Sequence, residues 1–232
     1  MDRKLFPHAA RGILAALCVT ALIGGPATAQ DGSPDRAQYA EMSSEELAQH
    51  LMFKAGGFKT GMATQEGTTV GERLRQDGLQ KTCSGRGQMD SANVSKVIEL
   101  ARNSMEYPDG GFKLGDWKKG QGLAENAFGF RVGHNIDDHS AKETGGLCIN
   151  CHKMEEEKAI RSGTLGPSLV NYGNNRGTGA DTKKYTYEVL YNPHVFFPCT
   201  KMPRFGVNGV LTQEKISHIM AYLLDPESPV NE

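Results

Sequence analysis

Cys148-Ile149-Asn150-Cys151-His152 is the stretch of this sequence on which the fold turns. C-x-x-C-H is the attachment pattern of a c-type haem, and its spacing has a physical reason. On a helical turn, residues three and four apart share a face. Cys148, Cys151 and His152 can then address one porphyrin edge together, two thiols bonding the vinyl groups and one imidazole the iron. A bare C-x-x-C has rivals, a redox dithiol or half of a zinc site. A thioredoxin-like dithiol follows a strand, and a zinc site needs a second ligand pair, which Cys83 and Cys199 do not form. With the adjacent histidine and an export signal, the pattern predicts one covalently bound haem on Cys148 and Cys151, with His152 on the iron.

Outward from the motif, the N-terminus reads as an address. Arg3, Lys4 and Arg11 flank an apolar run over residues 12–23, followed by Gly24, Gly25, Pro26 and then Ala27-Thr28-Ala29. That is a signal peptide, residues 1–29, with cleavage after Ala29 and delivery to the periplasm. The run is shorter than the ~20 apolar residues of a membrane span, so no membrane span is expected. Cys18 follows Leu17, where a lipid-attachment site wants a small residue, and is read as discarded with the signal. Four cysteines then remain, and an oxidising compartment favours their being paired or attached.

The whole chain has 26 basic and 27 acidic residues, a formal net charge of −1. A nucleic-acid binder would show a basic excess, so no nucleic acid is expected as a partner. The 28 glycines among 232 residues predict many turns and few long regular elements. Ser43 and Glu46 form a capping-box pattern ahead of Leu47, Leu51 and Ala55, and Gly56 and Gly57 stop that helix. Residues 56–71 read as loop. Val94, Val97, Ile98, Ala101 and Met105 make one stripe, which predicts a helix over 91–105. Asp116 can cap a helix over 116–128. Thr212 caps the last helix, whose apolar face is Ile216, Ile219, Met220, Leu223 and Leu224. No alternating strand pattern stands out, so the expected class is mainly α with long loops.

Iron bound through His152 needs a sixth ligand or an open position. The candidates are His50, His134, His139, His194, His218, Cys199 and the methionines. Met154 lies too close to His152 to reach the opposite side of a ring. Met202, followed by Pro203 on an irregular stretch, can project its sulfur while the chain stays extended. Met105 and Met220 sit on apolar stripes and read as core. Cys199 is the rival to Met202, since it lies on the same loop. After haem attachment, Cys83 and Cys199 are left over in even number. A disulfide between them is expected, with free buried thiols as the alternative. Gly166-Pro167-Ser168-Leu169 follows the motif. In c-type cytochromes a proline carbonyl at this place accepts the second N–H of the axial histidine, which makes Pro167 the candidate to orient His152, with a simple turn as the alternative.

The C-terminal part resembles the class I cytochromes c. The carrying residues are Gly120-x-x-Leu123-Ala124, C-x-x-C-H, Gly166-Pro167-x-Leu169, a Met-Pro loop and a final amphipathic helix. More narrowly, the chain is similar to the SoxX family, small cytochrome subunits of the SoxAX complexes of bacterial sulfur oxidation. The specific segments are Lys113-Leu114-Gly115-Asp116-Trp117-Lys118, Leu165-Gly166-Pro167-Ser168-Leu169 and Cys199-Thr200-Lys201-Met202-Pro203-Arg204-Phe205-Gly206. Thr82-Cys83-Ser84-Gly85 fits as well and supports pairing Cys83 with Cys199. The resemblance covers the chain from about residue 67.

What this resemblance implies is a class I cytochrome c-like fold over 111–232, with a helical N-terminal extension over 30–110. It implies His152 and Met202 as axial ligands of one haem. A SoxAX-type enzyme, an L-cysteine S-thiosulfotransferase, joins thiosulfate oxidatively to a cysteine of a SoxYZ-type carrier protein. The bond-forming chemistry belongs to a SoxA-type cytochrome subunit, and this chain would pass the electrons to a soluble cytochrome. No side chain here is expected to be catalytic. A free periplasmic monohaem electron carrier needs the same residues and remains the alternative. Lys183, Lys184, Lys201 and Arg204 are expected near the haem, either steering an acidic partner or thiosulfate, or simply solvated.

Overall fold

The computed structural model describes residues 36–85, 89–129, 143–158 and 161–232. The expected signal segment, Cys18 and the cleavage point after Ala29 lie outside them, as do His134 and His139. The chain divides into two compact units, residues 1–43 and 44–232. Among the described residues the first holds one helix, α1 (Arg36–Glu41). The position between residues 110 and 111, where the sequence suggested a boundary, falls inside the second unit.

The second unit is mainly α-helical, and its described residues contain no strand, only an isolated bridge between Ala63 and Thr69. Its helices are α2 (Ser44–Gln49), which continues as a wider turn over His50–Lys54, α3 (Val70–Leu74), α4 (Gly78–Ser84), α5 (Ser91–Asn103), α6 (Trp117–Glu125), α7 (Tyr172–Arg176), α8 (Ala180–Tyr191) and α9 (Gln213–Leu224). None of the described helices is long and apolar enough to cross a membrane.

Side-chain caps set several starts. Asp90 accepts from Asn93 N at 2.7 Å to open α5, and Thr212 accepts from Lys215 N at 3.3 Å to open α9. Asp116 accepts from Lys118 N and Lys119 N at 2.8 and 3.2 Å to open α6. Each satisfies a backbone donor that the first helical turn leaves unpaired. The helix expected over 116–128 ends earlier, at Glu125, where Asn126 turns extended.

α6 crosses α9 closely because Gly120 has no side chain. A Cβ there would overlap the His218 carbonyl and approach Tyr222 Cβ at 2.9 Å. The crossing is locked at its edge. Gly115 N donates to Ser217 O at 3.0 Å, and Asp116 N donates to His218 Nδ1 at 2.8 Å. Leu123, Ala124, Ile216, Ile219, Met220 and Leu223 fill the main core with Met154, Leu190 and Phe205. A second cluster joins Leu79 of α4, Val97 and Ala101 of α5, and Val195. The expected disulfide is formed between Cys83 and Cys199, 116 residues apart, and borders this second cluster. It ties α4 to the loop that carries Met202.

Candidate functional site

Cys148–Asn150 forms a tight helical turn, in which His152 N donates to Cys148 O at 2.9 Å. Cys148, Cys151 and His152 are thereby gathered on one short curl of chain. The backbone returns beneath it, with Gly163 N donating to Ile149 O and Gly166 N to Cys151 O, both at 2.7 Å. Both returns need glycine. A Cβ on Gly163 would strike the Asn150 carbonyl, and one on Gly166 would strike the His152 ring, with Nε2 at 2.8 Å.

His152 Nδ1 lies 2.7 Å from Pro167 O. A carbonyl oxygen only accepts, so the proton sits on Nδ1 and Nε2 keeps its lone pair. The His152 ring has no second hydrogen bond among the described residues. Cys148 and Cys151 are free thiols, both half-buried, and burial pushes the Cys148 thiol up to about 12. A thiol held so high is a poor thiolate at neutral pH. Among the described residues no three His, Cys, Asp or Glu side chains are grouped to hold a metal ion.

These groups open on a cleft of about 440 Å³, walled mostly by apolar side chains including Leu169, Leu190, Phe205 and Leu223. Met202 and Pro203 line the same cleft, so the structure brings Cys148, Cys151, His152, Pro167 and Met202 to one place. The loop bearing Met202 is shaped by Cys199, whose φ of +57° is left-handed for a residue with a side chain. Cys199 N donates to His194 Nδ1 at 3.0 Å, and Met202 N to Thr200 Oγ1 at 3.2 Å. The sulfur of Cys199 is bonded to Cys83, which removes it as a rival to Met202.

The other described histidines, His50, His194 and His218, do not line the cleft. His218 accepts from the start of α6 as described, and His194 is buried behind the Met202 loop. Met154 and Met220 are core residues, each 1% exposed. Of the basic residues, Lys184 and Lys201 are exposed, but Arg204 is buried and pairs with Asp77 at 2.7 Å. It is no solvated surface charge.

Two features of the site went unread in the sequence. Arg176 lines the cleft with its guanidinium 5.0 Å from the Tyr172 ring and 5.1 Å from the Tyr185 ring. No carboxylate pairs with it among the described residues, so it can receive one from a bound group. Beneath the motif, Glu155 is 6% exposed and accepts from Tyr222 Oη, from Gln121 Nε2 at 2.9 Å and from Lys158 Nζ at 3.0 Å. Burial works to raise its pKa, but the donors of Tyr222, Lys158 and Gln121 outweigh it and hold the carboxyl below its ordinary value. Tyr222 is pushed up, first by burial and then by Glu155. Glu155 thus clamps the segment after His152 to both α6 and α9.

An uncharacterized lipoprotein of Aquifex aeolicus is 40% identical to this chain over 159 residues, 68% of this chain and 73% of that protein. The chain belongs to that protein's family. No known protein-family model matches the sequence. Membership brings no activity with it, and the chemistry must be argued from the cleft.

Proposed function

We propose that this chain is an exported monohaem c-type cytochrome with a class I cytochrome c-like fold, acting as the electron-transfer subunit of a SoxAX-type enzyme. One observation carries the haem reading. Two free thiols, an imidazole whose Nδ1–H is spent on Pro167, and a thioether all border a single apolar cleft. The donor set fits the group. Cys148 and Cys151 would hold it covalently, His152 and Met202 would bind its iron, and Arg176 would meet a carboxylate. Such a group, when bound, supplies one-electron transfer.

The chain's own residues do the rest. Pro167 fixes the tautomer and tilt of His152, and Gly166, having no side chain, leaves the space that the ring occupies. The Cys83–Cys199 bridge anchors the loop three residues before Met202. Leu169, Leu190, Phe205 and Leu223 keep water from the cleft wall. No acid, base or nucleophile is required of this chain, and the bond-forming step of an L-cysteine S-thiosulfotransferase falls to a SoxA-type partner. A SoxYZ-type carrier would present the cysteine, and a soluble cytochrome would take the electrons. Leu165 and Phe197, 72% and 49% exposed on the cleft lining, offer apolar surface to such partners.

A native pull-down from the producing cells, with haem staining of a denaturing gel, tests this. A second stained band in equal amount supports the two-cytochrome enzyme. A single stained band leaves the free periplasmic electron carrier, and no stained band removes both.

Export is supported by the disulfide and by the relative's being named a lipoprotein, and the signal pattern itself puts cleavage after Ala29. That name also favours a second reading of the N-terminus, in which Cys18 is kept as a lipid anchor. The mass of the mature N-terminus separates a chain beginning at Gln30 from one acylated at Cys18.

A further inference from the structure

We propose that the polar cavity behind the Met202 loop is a binding site for a small divalent oxyanion such as sulfate, held by Arg204 and His194. This cavity measures about 300 Å³ and is separate in character from the apolar cleft, though Met202 and Pro203 border both. Two of its lining side chains belong to residues more than nine-tenths buried, Arg204 at 8% and His194 at 7% exposure.

Both carry donors that no protein group among the described residues satisfies. Arg204 Nη1 donates to Asp77 Oδ2 at 2.7 Å, while its Nε and Nη2 have no partner among the described residues. His194 Nδ1 accepts the Cys199 N–H at 3.0 Å, which places the ring proton on Nε2, and that N–H has no acceptor among the described residues. Burial, and then the Arg204 charge, lower the pKa of His194, so the ring is neutral at pH 7 and donates without adding charge. Donors that the protein itself leaves unpaired on the lining of an open cavity are free to bind an acceptor that enters it.

The neighbours lean the same way. Gln80 spends its carbonyl on Asp77 N at 3.1 Å, which leaves its amide N–H groups as donors. Asn208 and Lys201 line the cavity as well. Asp77, the nearby carboxylate, is held by both oxygens, Oδ1 by Gln80 N at 2.8 Å and Oδ2 by Arg204. It fixes the guanidinium as a planar fork and does not itself line the cavity. A fixed guanidinium fork, an imidazole N–H and amide donors make a site for a multidentate oxygen anion and not for a cation or an apolar group.

Calorimetric titration of the full mature protein with sodium sulfate, at ionic strength matched with sodium chloride, tests this. Saturable binding of one sulfate per chain is expected, absent with chloride alone. R204Q is expected to weaken it at least tenfold. Because R204Q also loses the Asp77 pair, H194N serves as the second variant. Asparagine can keep an acceptor for the Cys199 N–H through Oδ1 while its shorter side chain withdraws the donor from the Nε2 position, and it too should weaken binding tenfold with the thermal midpoint close to wild type. No saturable sulfate heat, an equal response to chloride, or unchanged affinity in both variants would overturn the assignment. Calorimetry counts sulfate whether or not the chain carries haem, so this proposal and the proposed function fail separately.

Discussion

Replacing Gly166 with alanine perturbs the site at its narrowest point. Gly166 does not have a positive φ, so the backbone itself accepts alanine and the whole cost is steric. The new Cβ would fall within 3 Å of three atoms of the His152 ring, held there because Gly166 N is bonded to Cys151 O at 2.7 Å. The imidazole must swing away, and its bond to Pro167 O then breaks. Overpacking of this kind costs ~1–3 kcal/mol, and the lost hydrogen bond a further ~0.5–1.5 kcal/mol. Stiffening of the unfolded chain by alanine returns at most ~1 kcal/mol. A net loss on the order of 2–3 kcal/mol is therefore expected in guanidinium unfolding. In the haem-loaded protein the low-spin spectrum should weaken in step, because His152 no longer holds its tautomer and tilt. Wild-type unfolding and an unaltered spectrum in G166A would refute the packing argument.

Gly122 on α6 is the contrasting case, with nothing within 4 Å of an added Cβ. Gly122→Ala should stabilise by ~0.5–1 kcal/mol in the same unfolding assay. Removing the bridge as C83A/C199A frees a loop of 116 residues, for which chain entropy gives a ceiling of about 5 kcal/mol. A loss of 2–4 kcal/mol is expected, and reductant should lower wild type toward the variant without affecting the variant. Met202→Ala should abolish the far-red sulfur-to-iron band of the oxidised protein and let the reduced form bind carbon monoxide, both read by absorption. Glu155 titrates below its ordinary value in the fold, so its stabilisation is full above the unfolded carboxylate value of ~4.3 and is lost as pH falls through the folded value. The stability gap between wild type and E155Q should therefore shrink as pH drops below about 4.5, and a gap independent of pH would contradict the clamp.

The helices with a strong apolar stripe were legible in the sequence. α5 and α9 lie where Val97, Ala101, Ile216 and Ile219 place them, because burial on one face dominates their energetics. α3 and α4 were not read, although their capping boxes, Thr69 with Glu72 and Asp77 with Gln80, stand in the sequence. Each buries too little apolar surface to show a period. α8 was missed for a different reason. Gly179 gives it no capping side chain, and Thr186 and Glu188 are buried beside Tyr187 and Tyr191, so polar residues interrupt its inner face. Sequence alone found the residues of the cleft, since Cys148, Cys151 and His152 are adjacent and Met202 and Pro167 belong to recognisable strings. It could not place Arg176 between two tyrosines or Glu155 under Tyr222. The Tyr172 contact is one helical turn from Arg176, but the Tyr185 and Tyr222 contacts span 9 and 67 positions, through packing that no local spacing encodes.

The central claim, a covalently attached haem, has a direct test in the intact mass of the protein purified from its own host, denatured and alkylated without reductant. The account predicts a mass increased by one haem and no alkylated cysteine, since Cys83 and Cys199 are bridged and Cys148 and Cys151 are consumed. A haem-free mass carrying two alkyl groups, mapped to Cys148 and Cys151, would contradict it.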